Sequence, residues 1–254
     1  MEEVIIAVCP YRAEVLRACN HAVSVEIAKI ILVGKKSKIV ETCFMCKIPI
    51  EKFEIINCDN DIDVCFVTND LIKERKVVGL IIGNFSETFV KNFGVSDYEI
   101  NVIDVPFSRH LLFVANYIKD SYIGYEEKAS AIICAKKIMQ NLNIAYYNIG
   151  LVTGKKTKVN EIEKNVIKMN EDLNKCDIDV VNVSQVFGKS HNLLVFNDID
   201  SSNIFLDSLL THENSKYANL KLASNAFIVD ASKMKLKDVF FSLFLINKMC
   251  LNTE

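Results

Sequence analysis

The sequence predicts an α/β fold built on a mainly parallel sheet, and three observations lead there. Short unbroken apolar runs recur along the chain, as in Ile30–Val33, and such runs suit strands covered on both faces. Between them lie longer segments whose apolar residues return at helical spacing. The 254 residues include only three prolines and eight glycines, with no low-complexity linker and no evident repeat. Strand–helix alternation of this kind is the pattern of crossover connections between parallel strands.

The elements follow in order. Val4 to Val8 reads as a strand and Ala13 to Ile27 as a helix, because Val15, Leu16, Cys19, Ala22, Val23 and Ile27 share one face. Lys29 to Val33 is the next strand, stopped by Gly34, and a helix follows around Ser37 to Cys46. Strands are expected near Phe53 to Asn57, Leu80 to Ile82, Ile100 to Val105 and Leu111 to Val114. Glu126 to Leu142 is a helix, Asn148 to Val152 a strand, and Asn160 to Asn174 a helix. Ile178 to Val183 and Leu193 to Phe196 are strands, Ser201 to Leu210 a helix, and Ala226 to Val229 a strand. Leu236 to Met249 is the closing helix.

Half of the residues are hydrophobic, enough for a substantial core in one large domain or in two smaller ones sharing a cleft. "DSYIGYEEK" (Asp120 to Lys128) is the best hinge candidate. The expected division is an N-terminal domain over 1–122, to which 230–254 return, and a shortened second domain over 123–229. The formal charge of −2 gives no bulk reason to expect nucleic acid or an anionic membrane surface. No apolar run approaches the roughly 18 residues of a spanning helix. "MEEVIIAVCP" begins with acidic residues and does not read as a signal peptide, so a cytoplasmic setting is expected.

Nine cysteines in such a chain read as reduced and mostly buried thiols. "CFMC" (Cys43 to Cys46) is the only Cys-x-x-Cys, and it sits in a helix without a second pair or a histidine cluster, so neither zinc nor redox chemistry is expected. No Gly-x-Gly-x-x-Gly follows the first strand, where the turn is "CPYRAE", which disfavours a dinucleotide site. "GLVTGKKTKV" (Gly150 to Val159) lacks P-loop spacing, although lysines between a strand end and a helix can hold an anion without that motif. His21, His110, His191 and His212 have no ligand-like spacing, and neither a nucleophile elbow nor a zincin helix is present. Chemistry is therefore sought where open parallel sheets bind ligands, at strand C-termini. Those places are "GNFSET", "VAN", "TGKK", "FNDIDSSN" and "DASKMKLKD".

The stretch "VLRACNHAVSVEIAKIILVG" resembles the N-terminal signature of the phosphate acetyl- and butyryltransferase family. "GLIIGNFSET", "YEEKASAIICAKKIMQNLNI", "IGLVTGKKTKV" and "NLLVFNDIDSSNIFLDSLL" are similar to further family segments, in the same order and over nearly the whole chain. The resemblance implies two α/β lobes around a cleft, as in isocitrate and isopropylmalate dehydrogenases, and a homodimer. It implies acyl transfer between coenzyme A and inorganic phosphate, with the coenzyme A thioester as substrate and no metal or redox cofactor. Asp238 corresponds to the thiol base, and Ser232 with Lys233 to the groups on the carbonyl or phosphate. Asn84, Ser86, Asn116, Thr153 and Asn203 correspond to substrate-binding positions.

Departures fall on polar positions. Ile82 stands where the family has lysine, Ala115-Asn116 replaces a Thr-Asp pair, and Gly154 with Lys156 replaces Ala and Glu. Ala231-Ser232-Lys233 replaces a Ser-Arg pair, and lysine forfeits a bidentate grip on phosphate. The rival expectation is a degenerate homologue that binds an anion, a coenzyme A-like ligand or a partner protein without turnover.

Overall fold

The computed structural model describes residues 3–74, 76–106, 108, 110–119, 124–153, 168–169, 173, 176–182, 186, 191–212, 214–223 and 226–250. The chain begins with β1 (Glu3–Val8), α1 (Ala13–Ser24), β2 (Lys29–Gly34), α2 (Lys36–Cys46), β3 (Glu54–Asn57), α3 (Asp61–Glu74), β4 (Lys76–Ile82) and the short α4 (Glu87–Val90). It continues through β5 (Tyr98–Asp104), β6 (Leu112–Tyr117), α5 (Tyr125–Asn141), β7 (Asn148–Thr153), β8 (Asp177–Asn182) and β9 (Leu193–Phe196). The last elements are α6 (Ile199–Leu210), β10 (Lys216–Leu222), β11 (Phe227–Asp230) and α7 (Leu236–Cys250). The architecture is α/β with mostly parallel strand pairing. Most of the helix expected over 160–174, and the Gly154 and Lys156 positions, lie outside the described residues.

Two compact units are present, Met1–Ser96 with Ala218–Glu254, and Asp97–Tyr217. The boundaries differ from those expected at 122 and 230, and strand pairing gives the reason. β5 pairs antiparallel with β6, and β6 pairs with β9, so this hairpin belongs to the second unit. β11 pairs with β4 and turns back on β10, so β11 and most of β10, from Ala218 on, lie with the first.

In the first unit the strand order is β3-β2-β1-β4-β11-β10. β1 sits centrally because both of its faces are apolar. Val4, Ile6 and Val8 join a core with Ile31, Val33, Val64 and Leu71. Helix α1 buries Val15, Leu16, Ala18, Cys19 and Ala22. It packs beside α7, where the His21 and Phe240 rings approach to 4.5 Å. A Cβ on Gly79 would come within 2.7 Å of Ile246, so the glycine in β4 lets α7 lie close on the sheet. Helices α3 and α4 and strand β10 have no counterpart in the sequence reading.

The second unit has the order β5-β6-β9-β7-β8, parallel except for the β5–β6 hairpin. Its core joins Leu112, Val114, Val152, Leu194 and Phe196 to Phe205, Leu206 and Leu209 of α6. Asp198 caps α6 by accepting the Ser201 N–H at 2.7 Å. No helix among the described residues is long and apolar enough to cross a membrane.

Candidate functional site

In the first unit, backbone hydrogen bonds bring three strand-end loops together. The Gly83 N–H donates to the Val8 carbonyl and the Asn84 N–H to the Cys9 carbonyl, both at 2.8 Å. The Ala231 N–H donates to the Ile82 carbonyl at 2.7 Å. The loops after β1, β4 and β11 are thus stitched side by side. Two local features allow this. Cys9 adopts a left-handed backbone at φ +46°, which turns the chain sharply out of β1. Gly83 leaves the room, since a Cβ there would lie 2.4 Å from the Cys9 carbonyl oxygen.

Arg12 fixes the arrangement through its side chain. Its Nη1 donates to the carbonyls of Ala231 at 3.0 Å and Ser232 at 2.6 Å, while Nη2 pairs with Glu14 at 3.2 Å. From the other side, the Asp230 carboxylate accepts the Ser232 N–H at 2.9 Å. Ser232 is therefore held by its backbone at both ends, and Lys233 beside it is exposed. Asp238 lies in the first turn of α7, only 7 % exposed, where the helix dipole favours a negative charge. Ser242 Oγ donates to the Asp238 carbonyl at 2.8 Å. Asn84 is exposed after β4, and Ser86 accepts the Val90 N–H on its carbonyl at 3.2 Å, opening α4.

Of the three sequence-expected residues of the second unit, one is buried and two are more open. Asn116, near the end of β6, is 1 % exposed, and its Oδ1 accepts a hydrogen bond from Ser202 Oγ at 2.6 Å. Its Nδ2 finds no acceptor among the described residues. Thr153 ends β7 opposite Asn182 and is half-buried. Asn203 is exposed, because the next position along α6 turns away from the face on which Ser202 meets Asn116.

Three residues enter the picture that sequence reasoning did not single out. Arg12 carries no motif, and its importance comes from carbonyls 219 and 220 residues away. Lys128 of α5 is 6 % exposed and reaches Asn197 Oδ1 at 2.6 Å, just beyond β9. A lysine is rarely buried unless it is paired, and Asn197 supplies the partner here. The third is Tyr11, whose hydroxyl accepts the Lys35 N–H at 2.8 Å. Burial raises the Tyr11 hydroxyl above its ordinary range and pushes the Cys9 thiol up to about 11. None of the nine cysteines is in a disulfide; Cys43 is buried in α2 and Cys46 half-exposed one turn on.

No family model and no curated protein matches this sequence. Solved structures do. A branched-chain phosphotransacylase from Enterococcus faecalis superposes with a TM-score of 0.76 at 12 % identity, over 97 % of this chain and 99 % of its own. A phosphotransacetylase from Streptococcus pyogenes gives 0.75 at 12 % identity, over 99 % and 95 %. A 4-hydroxythreonine-4-phosphate dehydrogenase from Burkholderia phymatum gives 0.64 at 12 % identity, over 98 % of each chain. Identities this low establish architecture rather than chemistry. The chain has the α/β fold of these solved phosphotransacylases and of this dehydrogenase.

Proposed function

We propose that this protein is a phosphate acyltransferase with a weakened site, moving an acyl group between the thiol of coenzyme A and inorganic phosphate. The observation that supports it is the match to phosphotransacylases along nearly the full length of both chains. In this reading Asp238 takes the thiol proton and the thiolate attacks the carbonyl of an acyl phosphate. Ser232 and Lys233 meet the developing oxyanion or the phosphate, the carbon–oxygen bond to phosphate breaks, and the thioester and inorganic phosphate leave. Asn84 and Ser86 are substrate-binding residues of the first unit, and Asn116, Thr153 and Asn203 of the second. The same reading makes the protein a cytoplasmic homodimer.

A second reading, a homologue that binds a coenzyme A-like ligand without turnover, is favoured by Asn116. Where the family has an acidic residue, this amide is buried and its oxygen is occupied by Ser202. Purified protein given acyl phosphate and coenzyme A separates the two. Slow thioester formation above the uncatalysed rate supports the first, and saturable coenzyme A binding without thioester supports the second.

A further inference from the structure

We propose that a cavity at the carboxyl ends of β1 to β4 binds a phosphorylated ribonucleoside. The site lies wholly within the first unit, and the proposal does not depend on acyl transfer.

The strand order places the cavity. From β1 the chain steps outward to β2 and then β3, and afterwards returns to lay β4 on the opposite flank of β1. The carboxyl ends of these four strands lie together at one edge of the sheet, where open α/β sheets take their ligands. A cavity of about 380 Å³ occupies that region. Each of the four loops contributes to its wall: Arg12 after β1, Lys35 and Lys38 after β2, Asp59 and Asp61 after β3, and Asn84 after β4. The volume is within the range of about 300–1,000 Å³ in which small-molecule sites fall.

Charge selects the ligand. Arg12, Lys35 and Lys38 are among the residues that line the cavity. Lys35 is also the N-cap of α2, Lys36 and Lys38 follow in its first turn, and that turn has no acidic residue. Like charge is thus stacked on the positive end of a helix, an unfavourable arrangement that a bound anion reverses. Asp59 and Asp61 line the same cavity. A bare anion would meet the lysines and also face these carboxylates. A phosphoribosyl group suits both kinds of side chain, with its phosphate on the cations and its neutral hydroxyls donating to the carboxylates. Tyr11 also lines the cavity, and its ring already takes the Lys38 ammonium 5.1 Å from its centroid. The phosphoribosyl group could belong to a free nucleotide or to the nucleotide end of a coenzyme.

Calorimetric titration of the full chain with AMP, 3′,5′-ADP, pantetheine and inorganic phosphate tests this. AMP or 3′,5′-ADP should bind saturably and more tightly than phosphate. Equal or tighter binding of AMP assigns a free nucleotide, and tighter binding of 3′,5′-ADP assigns a coenzyme end. Combining Lys35→Ala with Lys38→Ala should weaken that binding by about tenfold or more, and Asp59→Asn should weaken nucleotide but not phosphate. These residues are exposed, and thermal melts of each variant report whether the fold is intact. Nucleotides that bind no better than phosphate, that fail to bind at millimolar concentration, or that bind folded variants as tightly as the parent would overturn the proposal. Acyl-transfer rates enter none of these readouts.

Discussion

The guanidinium of Arg12 joins two segments at opposite ends of the chain, donating to the carbonyls of Ala231 and Ser232 from a single nitrogen. A charged donor shared by two backbone acceptors holds the loop after β11 against the loop after β1. Arg12→Met removes the donor and leaves both carbonyls to find other partners. It should lower stability by about 1–3 kcal/mol in urea denaturation. Arg12→Lys retains the charge without the planar fork, and should fall between the two.

Acyl-transfer turnover should be far below that of an enzyme with an intact site. If each missing cation or acid is worth about 2 kcal/mol at the transition state, two or three losses reduce the rate by a factor on the order of 10³ to 10⁵. The residual rate should fall further in Asp238→Asn, which keeps the side-chain shape but cannot accept a thiol proton. Thioester formation measured on both proteins checks this. An unchanged rate in the variant removes Asp238 from the mechanism, and fast turnover in the parent removes the weakened-site reading.

Ser202→Ala deletes the hydroxyl that reaches Asn116, leaving a second amide atom of that buried side chain without its partner. A loss of about 1–3 kcal/mol is expected in chemical denaturation. Nucleotide binding, which is assigned to the other unit, should not change.

Alkaline pH should destabilise the protein in a defined window. Burial pushes the thiols of Cys9 to about 11 and of Cys19 and Cys250 to about 12. Each is a group whose folded pKa lies above its unfolded value of about 8.5. Its contribution is complete below that value and is lost as pH rises through the folded pKa. Melting temperature should therefore hold up to about pH 8 and decline steadily between 9 and 12. Replacing all three by serine or alanine should flatten the decline, since alanine and serine do not titrate there.

Much of the alternation was legible because β1, β2, β7 and β9 are buried along most of their length and leave unbroken apolar runs. Helix α3 was not, because Ile62 and Phe66 are exposed and blur the stripe formed by Val64, Cys65 and Leu71. Strand β10 reads as polar, with Asn219 and Lys221 interrupting Ala218 and Leu220. The antiparallel turn from β5 to β6 was hidden for another reason: apolar runs do not reveal the direction of pairing. At the candidate site, Asn84 and Ser232 could be found because loops after apolar strands are where ligands bind. Arg12 and Lys128 could not, since what defines each is a partner remote in sequence.

Strand β4 lies between β1, made at the very start of the chain, and β11, made near its end. On the ribosome the first unit therefore cannot close when its first four strands have emerged. One flank of β4 stays open throughout synthesis of the whole second unit, offering unpaired backbone groups to any neighbouring chain. The second unit is contiguous and can complete its own sheet first. A nascent chain halted before residue 227 should thus need a chaperone that shields strand edges, and release of the remaining segment should end that need.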